Sequence, residues 1–209
     1  MLKISYLGHA SFKIEDENKS IVFDPYQDGM VPNLTFPKNI EADFVFCSHN
    51  HADHNARDKV RLLANGQQLE YSEILVPHDK EKGAKRGINF VRIVYLGDYK
   101  IVHLGDIGDI SDYRLLSSIK NADIVLCPIN GFFTISAEEA RQLYDTYNIQ
   151  VMIPMHYEYK EYGVGYPDGG QIEKFEKLFP NNKKVNEGSF EFTCDDYDYN
   201  AIIFNKFIQ

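Results

Sequence analysis

Cysteine is scarce in this chain, and long apolar runs are absent. The three cysteines, at positions 47, 127 and 194, lie far apart and form no CxxC pair. Neither a disulfide framework nor a thiolate zinc site is predicted, and reduced thiols are typical of the cytosol. No segment approaches the length of a membrane span, and the start, MLKISYLGHASFKIE, has charges where a secretory signal would be apolar. We expect a cytoplasmic protein without membrane contact.

Basic side chains are also in the minority, with 22 against 31 acidic ones and a formal net charge of −9. This charge repels phosphate backbones, so we expect a small-molecule substrate and no nucleic-acid partner. The densest basic run, from Asp79 to Arg86, is interpreted as a solvated loop. The oligomeric state is left open.

The length and composition predict one compact unit. A chain of 209 residues can bury one substantial core and is short for two independent domains. Apolar residues make up 44% and charged residues 25%, which is typical of globular proteins. We therefore treat residues 1–209 as a single domain.

Short apolar and alternating segments predict many strands and few helices. In the first half, strands are expected at 2–7, 10–15, 20–23, 42–48 and 73–77, with a helix at about 55–63. In the second half, a hairpin is expected from 88–96 and 100–104, helices at 111–119, 137–147 and 171–179, and strands at 123–128, 149–154 and around Phe190 and Ile202.

The two halves resemble each other at a single offset of 80 residues. Residues 42–48, ADFVFCS, resemble residues 122–128, ADIVLCP, and Ile21-Val22 resembles Ile101-Val102. Internal duplication or chance similarity between apolar strands would explain this pattern. Two β-rich halves with helices predict an α/β (α+β) protein, a four-layer αββα sandwich of two mixed β-sheets.

A dense histidine cluster follows the strand at 42–48 and carries the chemistry. The chain there is His49-Asn50-His51-Ala52-Asp53-His54. An extended backbone places His49 and His51 on one side, where both imidazoles can face one ion. Asp53 and His54 can then point to a second position nearby. Imidazoles with a carboxylate favour zinc over calcium or magnesium, and the alternative is a histidine-rich surface loop.

The cluster and four further segments resemble the metallo-β-lactamase superfamily, in particular its short, stand-alone, lactonase-like metal-dependent hydrolases. The four segments occur in the expected order: Gly8-His9-Ala10-Ser11, Asp24-Pro25, Gly105-Asp106 and Pro154-Met155-His156-Tyr157. The fold of that superfamily is the αββα sandwich. The resemblance implies two divalent metal ions, zinc by preference, with Mn²⁺ and Fe²⁺ as alternatives.

The resemblance also implies a ligand set for the first ion: His49, His51 and a third histidine located before Gly105. His78 and His103 are the two candidates. His78 is favoured because it follows a strand, as the cluster and His156 do. His103 lies within a predicted strand and is interpreted as a packed or supporting histidine.

For the second ion, the resemblance implies Asp53, His54 and His156, with Asp106 bridging both ions. Asp53 and Asp106 would then be neighbouring carboxylates, so one is expected to resist ionisation until cations offset the repulsion.

Four further residues are candidates for supporting or substrate-binding roles. Asp24 could accept a proton from a ligand imidazole and determine its tautomer. His9 is expected to approach the cleft, and Gly131 begins a segment whose backbone amides could bind an anionic group. Tyr157 begins a Tyr- and Gly-rich segment, residues 157–170, that either lines the substrate pocket or is exposed.

The implied function is a binuclear metal-dependent hydrolase in which a metal-bridging hydroxide attacks a small ester, lactone or phosphoester. Asp53 is the catalytic candidate, because it could orient the water or pass its proton to the leaving group. The alternatives are a phosphodiesterase or nuclease of the same fold and a non-hydrolytic, redox-active di-metal protein. The redox family pattern has Glu where this chain has His51.

Overall fold

The computed structural model describes residues 1–64, 66–159, 163–166 and 172–209. The strands are β1 (Leu2–Gly8), β2 (Ser11–Glu15), β3 (Ser20–Phe23), β4 (Ile40–Ala42), β5 (Phe44–Phe46), β6 (Val60–Leu62), β7 (Glu70–Pro77), β8 (Ile88–Leu96), β9 (Tyr99–His103), β10 (Ile124–Pro128), β11 (Val151–Met155), β12 (Asn182–Val185), β13 (Ser189–Phe192) and β14 (Ala201–Phe204). The α-helices are α1 (Tyr113–Leu116), α2 (Ala137–Tyr147) and α3 (Ile172–Leu178).

Most strands belong to two mixed sheets. One sheet has five strands in the order β13-β1-β2-β3-β5, and the other has seven in the order β12-β14-β11-β10-β9-β8-β7. Strands β3 and β5 are parallel in the first sheet, and β9, β10, β11, β14 and β12 are parallel in the second. The remaining pair, β4 and β6, forms a small third sheet.

Aromatic contacts show that the two large sheets pack face to face. The Phe12 and Phe204 rings lie 6.1 Å apart between centroids, and the Tyr99 and Phe192 rings 5.8 Å apart. Buried apolar side chains of both sheets belong to one continuous core. The mixed α/β sandwich expected from the sequence is therefore confirmed, and burial of this shared apolar face is its main source of stability.

The offset of 80 residues has a structural counterpart in the strand pairing. Residues 21–23 of β3 pair in parallel with residues 44–46 of β5. Residues 101–103 of β9 pair in parallel with residues 124–126 of β10, in the same register. This shared register is what internal duplication predicts.

Two aspartates extend the correspondence to side chains. Asp43 Oδ2 accepts a hydrogen bond from the Ser20 amide at 2.7 Å, and Asp123 Oδ2 accepts one from the Lys100 amide at 2.7 Å. Asp43, just before β5, therefore holds the start of β3 in place, and Asp123, just before β10, does the same for the start of β9.

Several predicted element boundaries are wrong. The segment 55–63 is a 3₁₀ turn, Arg57–Lys59, followed by β6, and it contains no α-helix. The strand expected at 42–48 ends earlier, as β5 at Phe46. The helix at 111–119 is a short α-helix, α1, followed by a 3₁₀ turn, Ser117–Ile119, and β12 was not predicted. Short polar segments carry weak periodicity, so tertiary contacts decide their structure.

The helix at 137–147 agrees with the prediction, and its start has a local cause. Ser136 accepts a hydrogen bond from the Glu139 amide, while the Glu139 carboxylate accepts one from the Ser136 amide. The helix at 171–179 is α3, although Gln171 lies outside the described residues. Within the described ranges, no helix is both long and apolar enough to cross a membrane.

Removing the carboxylate of Asp43 or of Asp123 tests whether each one stabilises the pair of strands that it joins. Asp123→Ala deletes the acceptor for the Lys100 amide and for the Tyr197 hydroxyl at 2.7 Å. We expect Asp123→Ala and Asp43→Ala each to lower the free energy of unfolding by about 1–3 kcal/mol, measured by urea denaturation. The exposed Glu17→Ala is the control and should change it by less than about 0.5 kcal/mol. Values near zero for both variants would contradict the structural role.

Candidate metal centre

The candidate site is built from the ends of six strands. His9 follows β1, Asp24 follows β3, residues 49–54 follow β5, His78 follows β7, Asp106 follows β9 and His156 follows β11. A strand end positions a side chain well because the strand is held by its neighbours while the following residue is free to leave the sheet. The site therefore collects residues that are more than 100 positions apart in the chain.

The first group of ligand atoms comes from His49, His51 and His78. The three imidazoles offer nitrogens that all lie within 4.8 Å of one another. His49 Nε2 and His51 Nδ1 are 2.9 Å apart, and His78 Nε2 lies 3.4 Å from the nearer Asp106 oxygen. The structure thus places His78 where the favoured assignment requires it.

His103 is directed elsewhere. Its Nε2 lies 2.8 Å from the Ala10 carbonyl oxygen, and its Nδ1 accepts a hydrogen bond from the Gly105 amide at 3.1 Å. Its ring stacks on Phe23, with 5.0 Å between centroids. Both ring nitrogens are therefore engaged by backbone groups, which agrees with the interpretation of His103 as a packed, supporting histidine.

The second group comprises Asp53, His54 and His156, together with His9. These four residues offer ligand atoms within 4.8 Å of one another. Asp106 Oδ2 lies between the two groups, 3.2 Å from His54 Nε2 and 3.2 Å from His156 Nε2. The position of Asp106 is the one expected of a carboxylate that bridges two ions.

Buried Asp24 determines which nitrogens of the histidines face the site. Its Oδ2 lies 2.8 Å from His54 Nδ1, and it also accepts a hydrogen bond from the Ser48 hydroxyl at 2.6 Å. Ser48 Oγ in turn lies 2.9 Å from His49 Nδ1. With their Nδ1 atoms engaged in this way, His54 and His49 turn their Nε2 atoms toward the site, where a bound cation would replace any proton on Nε2. These contacts place Asp24 beside two of the candidate ligands.

Gly105 allows Asp106 to enter the site. Its φ angle is +56°, and a Cβ atom at this position would lie 2.2 Å from Asn89 Oδ1. That same oxygen accepts a hydrogen bond from the Asp106 amide at 2.9 Å. Only glycine combines this backbone conformation with such a close neighbour, which explains the Gly-Asp pair.

Several residues here have left-handed backbone conformations that are rare outside glycine. The φ angles are +56° at His9, +43° at Asp24 and +57° at His156. The His9 carbonyl accepts hydrogen bonds from the His156 amide at 3.0 Å and from the Tyr6 hydroxyl at 2.8 Å. Strain of this kind persists only where the surrounding structure enforces it, and it concentrates at functional sites.

Burial and neighbouring charges shift the pKa values of these groups in both directions. Burial lowers the pKa of His49 to about 3 and that of His9 to about 4, so both imidazoles are neutral near pH 7. Burial alone would lower the pKa of His54, but the Asp106 and Asp24 carboxylates raise it.

The expectation that one carboxylate resists ionisation is wrong. Burial raises the pKa of Asp106, but His156 and His54 outweigh it and hold that pKa well below its usual range. Burial alone would also raise the pKa of Asp53. Its contacts with His9 and His54 outweigh burial and lower that pKa. The surrounding imidazoles, which the two-carboxylate argument left out, keep both groups ionised.

A cavity of about 260 Å³ opens onto these groups. Its lining comprises His51, Asp53, His78, Arg86, Asp106, Phe133, His156 and Tyr166. A larger cavity of about 450 Å³ lies beside the turns at residues 16–18 and 97–98, but its lining contains no histidine. The smaller cavity is therefore the candidate substrate site.

A family comparison agrees with this geometry. A family model described as "Beta-lactamase superfamily domain" matches residues 3–156, which include every candidate ligand. The chain belongs to this family.

Relatives in the beta-lactamase superfamily include proteins named as hydrolases. A "UPF0173 metal-dependent hydrolase" of Carboxydothermus hydrogenoformans is 28% identical over 75% of this chain and 84% of its own. One of Staphylothermus marinus is 29% identical over 75% and 84%. Among solved structures, a putative Zn-dependent hydrolase of the metallo-beta-lactamase superfamily from Thermotoga maritima has a TM-score of 0.78 and 27% identity, with both chains fully covered. The metallo-β-lactamase fold is thereby confirmed.

The donor set fits the metal ions that the superfamily implies. Two carboxylates and several neutral imidazoles face one another, and Asp106 Oδ1 is buried without a hydrogen-bond partner among the described residues. An unpartnered buried carboxylate oxygen is costly unless a cation compensates it. Imidazole with carboxylate is the ligand mixture that zinc accepts.

Two sequence-based candidates do not have the expected roles. The Gly131 amide donates to the Ile135 carbonyl oxygen at 3.1 Å, and the next two amides donate to Asn130 Oδ1, so these groups are already used and do not await an anion. The Tyr157 hydroxyl donates to the Phe204 carbonyl oxygen at 3.2 Å, on the core side. Both are excluded because internal hydrogen bonds satisfy them first.

Tyr166 and Arg86 are the residues that sequence analysis missed. The Tyr166 hydroxyl donates to Asp53 Oδ2 at 3.2 Å. The segment 157–170 therefore does contribute to the cavity, through Tyr166, while residues 160–162 and 167–170 lie outside the described residues. Arg86 ends the basic run that was interpreted as a solvated loop. A basic residue separated by eight positions from His78 was the one available signal.

Replacing His78 and His103 separately tests the first group. We expect His78→Ala to lose about one bound ion per chain, because it removes a ligand atom. His103→Ala should retain both ions but lower the free energy of unfolding by about 1–3 kcal/mol, because it leaves buried backbone groups unpaired. Elemental analysis after zinc-replete purification and urea denaturation measure the two effects. Loss of an ion from His103→Ala, with both ions kept by His78→Ala, would reverse the assignment.

Proposed function

We propose that this protein is a metal-dependent hydrolase whose two divalent ions, zinc by preference, are bound by two groups of side chains joined by Asp106. The first ion is held by His49, His51 and His78, and the second by Asp53, His54 and His156. The observation that carries this proposal is the clustering of these side chains beside one small cavity, whose lining includes His51, His78, Asp53, His156 and Asp106.

The ions would supply Lewis-acid polarisation of the scissile bond and a water of lowered pKa. The protein supplies the remaining functions. Asp53 is ionised and lines the cavity, so its carboxylate can accept a hydrogen bond from the attacking water and orient it. Burial and the Asp53 carboxylate raise the pKa of Tyr166, which therefore stays protonated and can donate a hydrogen bond.

Arg86 supports a small anionic substrate. It is the one lysine or arginine among the cavity-lining residues, and its guanidinium carbon lies 5.3 Å from the centre of the Phe133 ring. Lys80 and Lys85, in the same loop, pair with Glu139 and Glu81. Among the residues that the structure describes, no carboxylate forms an ion pair with Arg86.

The loop that carries Arg86 is held in place by Asp79. This buried carboxylate accepts hydrogen bonds from the backbone amides of Glu81, Gly83, Lys85 and Arg86, at 2.8–3.0 Å. A guanidinium that faces the cavity and has no acidic partner among the described residues is suited to a carboxylate or phosphate. We therefore propose a small ester, lactone or phosphoester with an anionic group beside the scissile bond.

The size and charge of the cavity favour such a compound over a nucleic acid. A volume of about 260 Å³ is at the lower end for small-molecule pockets. A nucleic-acid strand would need a series of cationic side chains, and the cavity offers one, on a chain with a net charge of −9.

Metal removal tests the proposed activity. A panel of lactones, thioesters and phosphodiesters should include at least one compound that the Zn²⁺- or Mn²⁺-loaded protein hydrolyses. Chelation should abolish turnover and addition of the ion should restore it, since no serine or cysteine nucleophile is required. The metal-free protein is the control. If no loaded form exceeds it on any compound, the proposal fails.

Two esters of similar size test the role of Arg86. p-Nitrophenyl hemisuccinate carries a carboxylate, and p-nitrophenyl butyrate is neutral. We expect Arg86→Gln to lower kcat/KM for the hemisuccinate by about 10- to 100-fold, the loss of one charged hydrogen bond. The butyrate rate should stay within about twofold.

The control is Lys82→Gln, which removes the same charge from an exposed position in the same loop. It should leave both rates unchanged. Equal losses on the two esters in Arg86→Gln would contradict anion recognition, because they would indicate a general disturbance of the site.

A further inference from the structure

His9 is a buried histidine beside the second group, and its ring nitrogen faces that group directly. His9 Nε2 lies 3.3 Å from His54 Nε2 and 3.4 Å from Asp53 Oδ2. The His9 ring centroid lies 4.1 Å from that of His156. His9 therefore contacts all three residues assigned to the second ion.

These distances are poor for hydrogen bonds and good for shared coordination. An N–H···O bond is ordinarily near 2.9 Å, roughly 0.5 Å shorter than the His9–Asp53 separation. His54 Nδ1 lies 2.8 Å from Asp24 Oδ2, so the Nε2 atoms of His54 and His9 face each other at 3.3 Å, which is long for a hydrogen bond. Ligands bound at roughly 2.0–2.1 Å around a tetrahedral ion lie roughly 3.3–3.4 Å apart. The observed separations match that spacing.

His9 is not placed to contact a substrate in the 260 Å³ cavity. The residue is buried and is not among those that line this cavity. Its left-handed backbone is fixed by the hydrogen bond from the His156 amide to the His9 carbonyl oxygen at 3.0 Å. The fold thus constrains His9 and His156 together, with both rings directed at the same point.

We propose that His9 is a further ligand of the second ion, so that His9, Asp53, His54 and His156 surround it, while Asp106 joins it to the first ion. This inference rests on the proposed binuclear function. It makes the two positions unequal: the second ion is enclosed on the core side, whereas the first is held partly by His51, which is exposed at the cavity. The second ion is expected to be the more tightly bound, because it has one more ligand.

The test compares variants of the full chain by metal binding. His9→Phe keeps a ring and removes the ligand atom, and His9→Cys offers a different ligand atom at the same position. Competition with a chromophoric chelator gives the dissociation constants of both Zn²⁺ ions. Co²⁺ substitution gives a visible absorption spectrum that depends on the number and type of ligands. The control is His103→Gln, another buried histidine, which lies outside both groups.

We expect His9→Phe to raise the dissociation constant of the second ion by at least about 100-fold, which is the upper end of the effect of residues that only support a ligand. The dissociation constant of the first ion should change by less than about threefold. The Co²⁺ spectrum should change in His9→Phe, and His9→Cys should recover part of the affinity. His103→Gln should lower the melting temperature of the metal-free protein and leave both affinities and the spectrum unaltered.

The outcomes separate this inference from the proposed activity. Wild-type affinities and an unchanged Co²⁺ spectrum in His9→Phe would overturn the role of His9, whatever the turnover. The wild type could bind two ions and His9→Phe could weaken the second one while no ester is hydrolysed. This result would support the ligand role of His9 and overturn the proposed hydrolase activity. Fewer than two ions bound to the wild-type protein would overturn both.

Discussion

The site depends on one buried carboxylate and the imidazoles packed around it. Asp106 is 3% exposed, and its Oδ2 lies within 3.2–3.4 Å of Nε2 atoms from His54, His78 and His156. A buried charge is costly unless it is compensated, and so is a set of lone pairs directed at one another. Divalent ions would resolve both costs at once, which is why the same atoms that destabilise the metal-free site make it a strong candidate for metal binding.

The strands allow this convergence because the sheets hold their ends close together at one place. His9, Asp24, His78 and His156 directly follow the last residue of a strand, so the sheets hold their backbone. Asp24 then orients two of the imidazoles, directly at His54 and through Ser48 at His49. The aligned pairing of β3 with β5 and of β9 with β10 gives the two halves equivalent strand ends, and the sheets bring those ends to one site.

The cavity above the centre explains how a general metal site could become selective. Its chemistry resides in the buried groups, while Arg86, Phe133 and Tyr166 form the wall that a substrate meets. Asp79 organises the loop of Arg86 through four backbone amides, so the guanidinium is held without an acidic partner among the described residues. In the proposed function, selectivity and catalysis are carried by different elements, which is common where a rigid fold supports variable loops.

Local sequence was sufficient for the features that depend on neighbouring residues. The 49–54 cluster, the strands that precede the ligands, the helix at 137–147 with its Ser136 cap and the αββα class all follow from period, spacing and motif. Tertiary structure alone decided the contacts between distant segments: that His78 faces the cluster while His103 bonds to backbone, that Arg86 and Tyr166 line the cavity, and that His9 reaches Asp53 and His54. The physical reason is that a side chain's role there is determined by distances of a few ångströms between residues far apart in the chain, which no local pattern encodes.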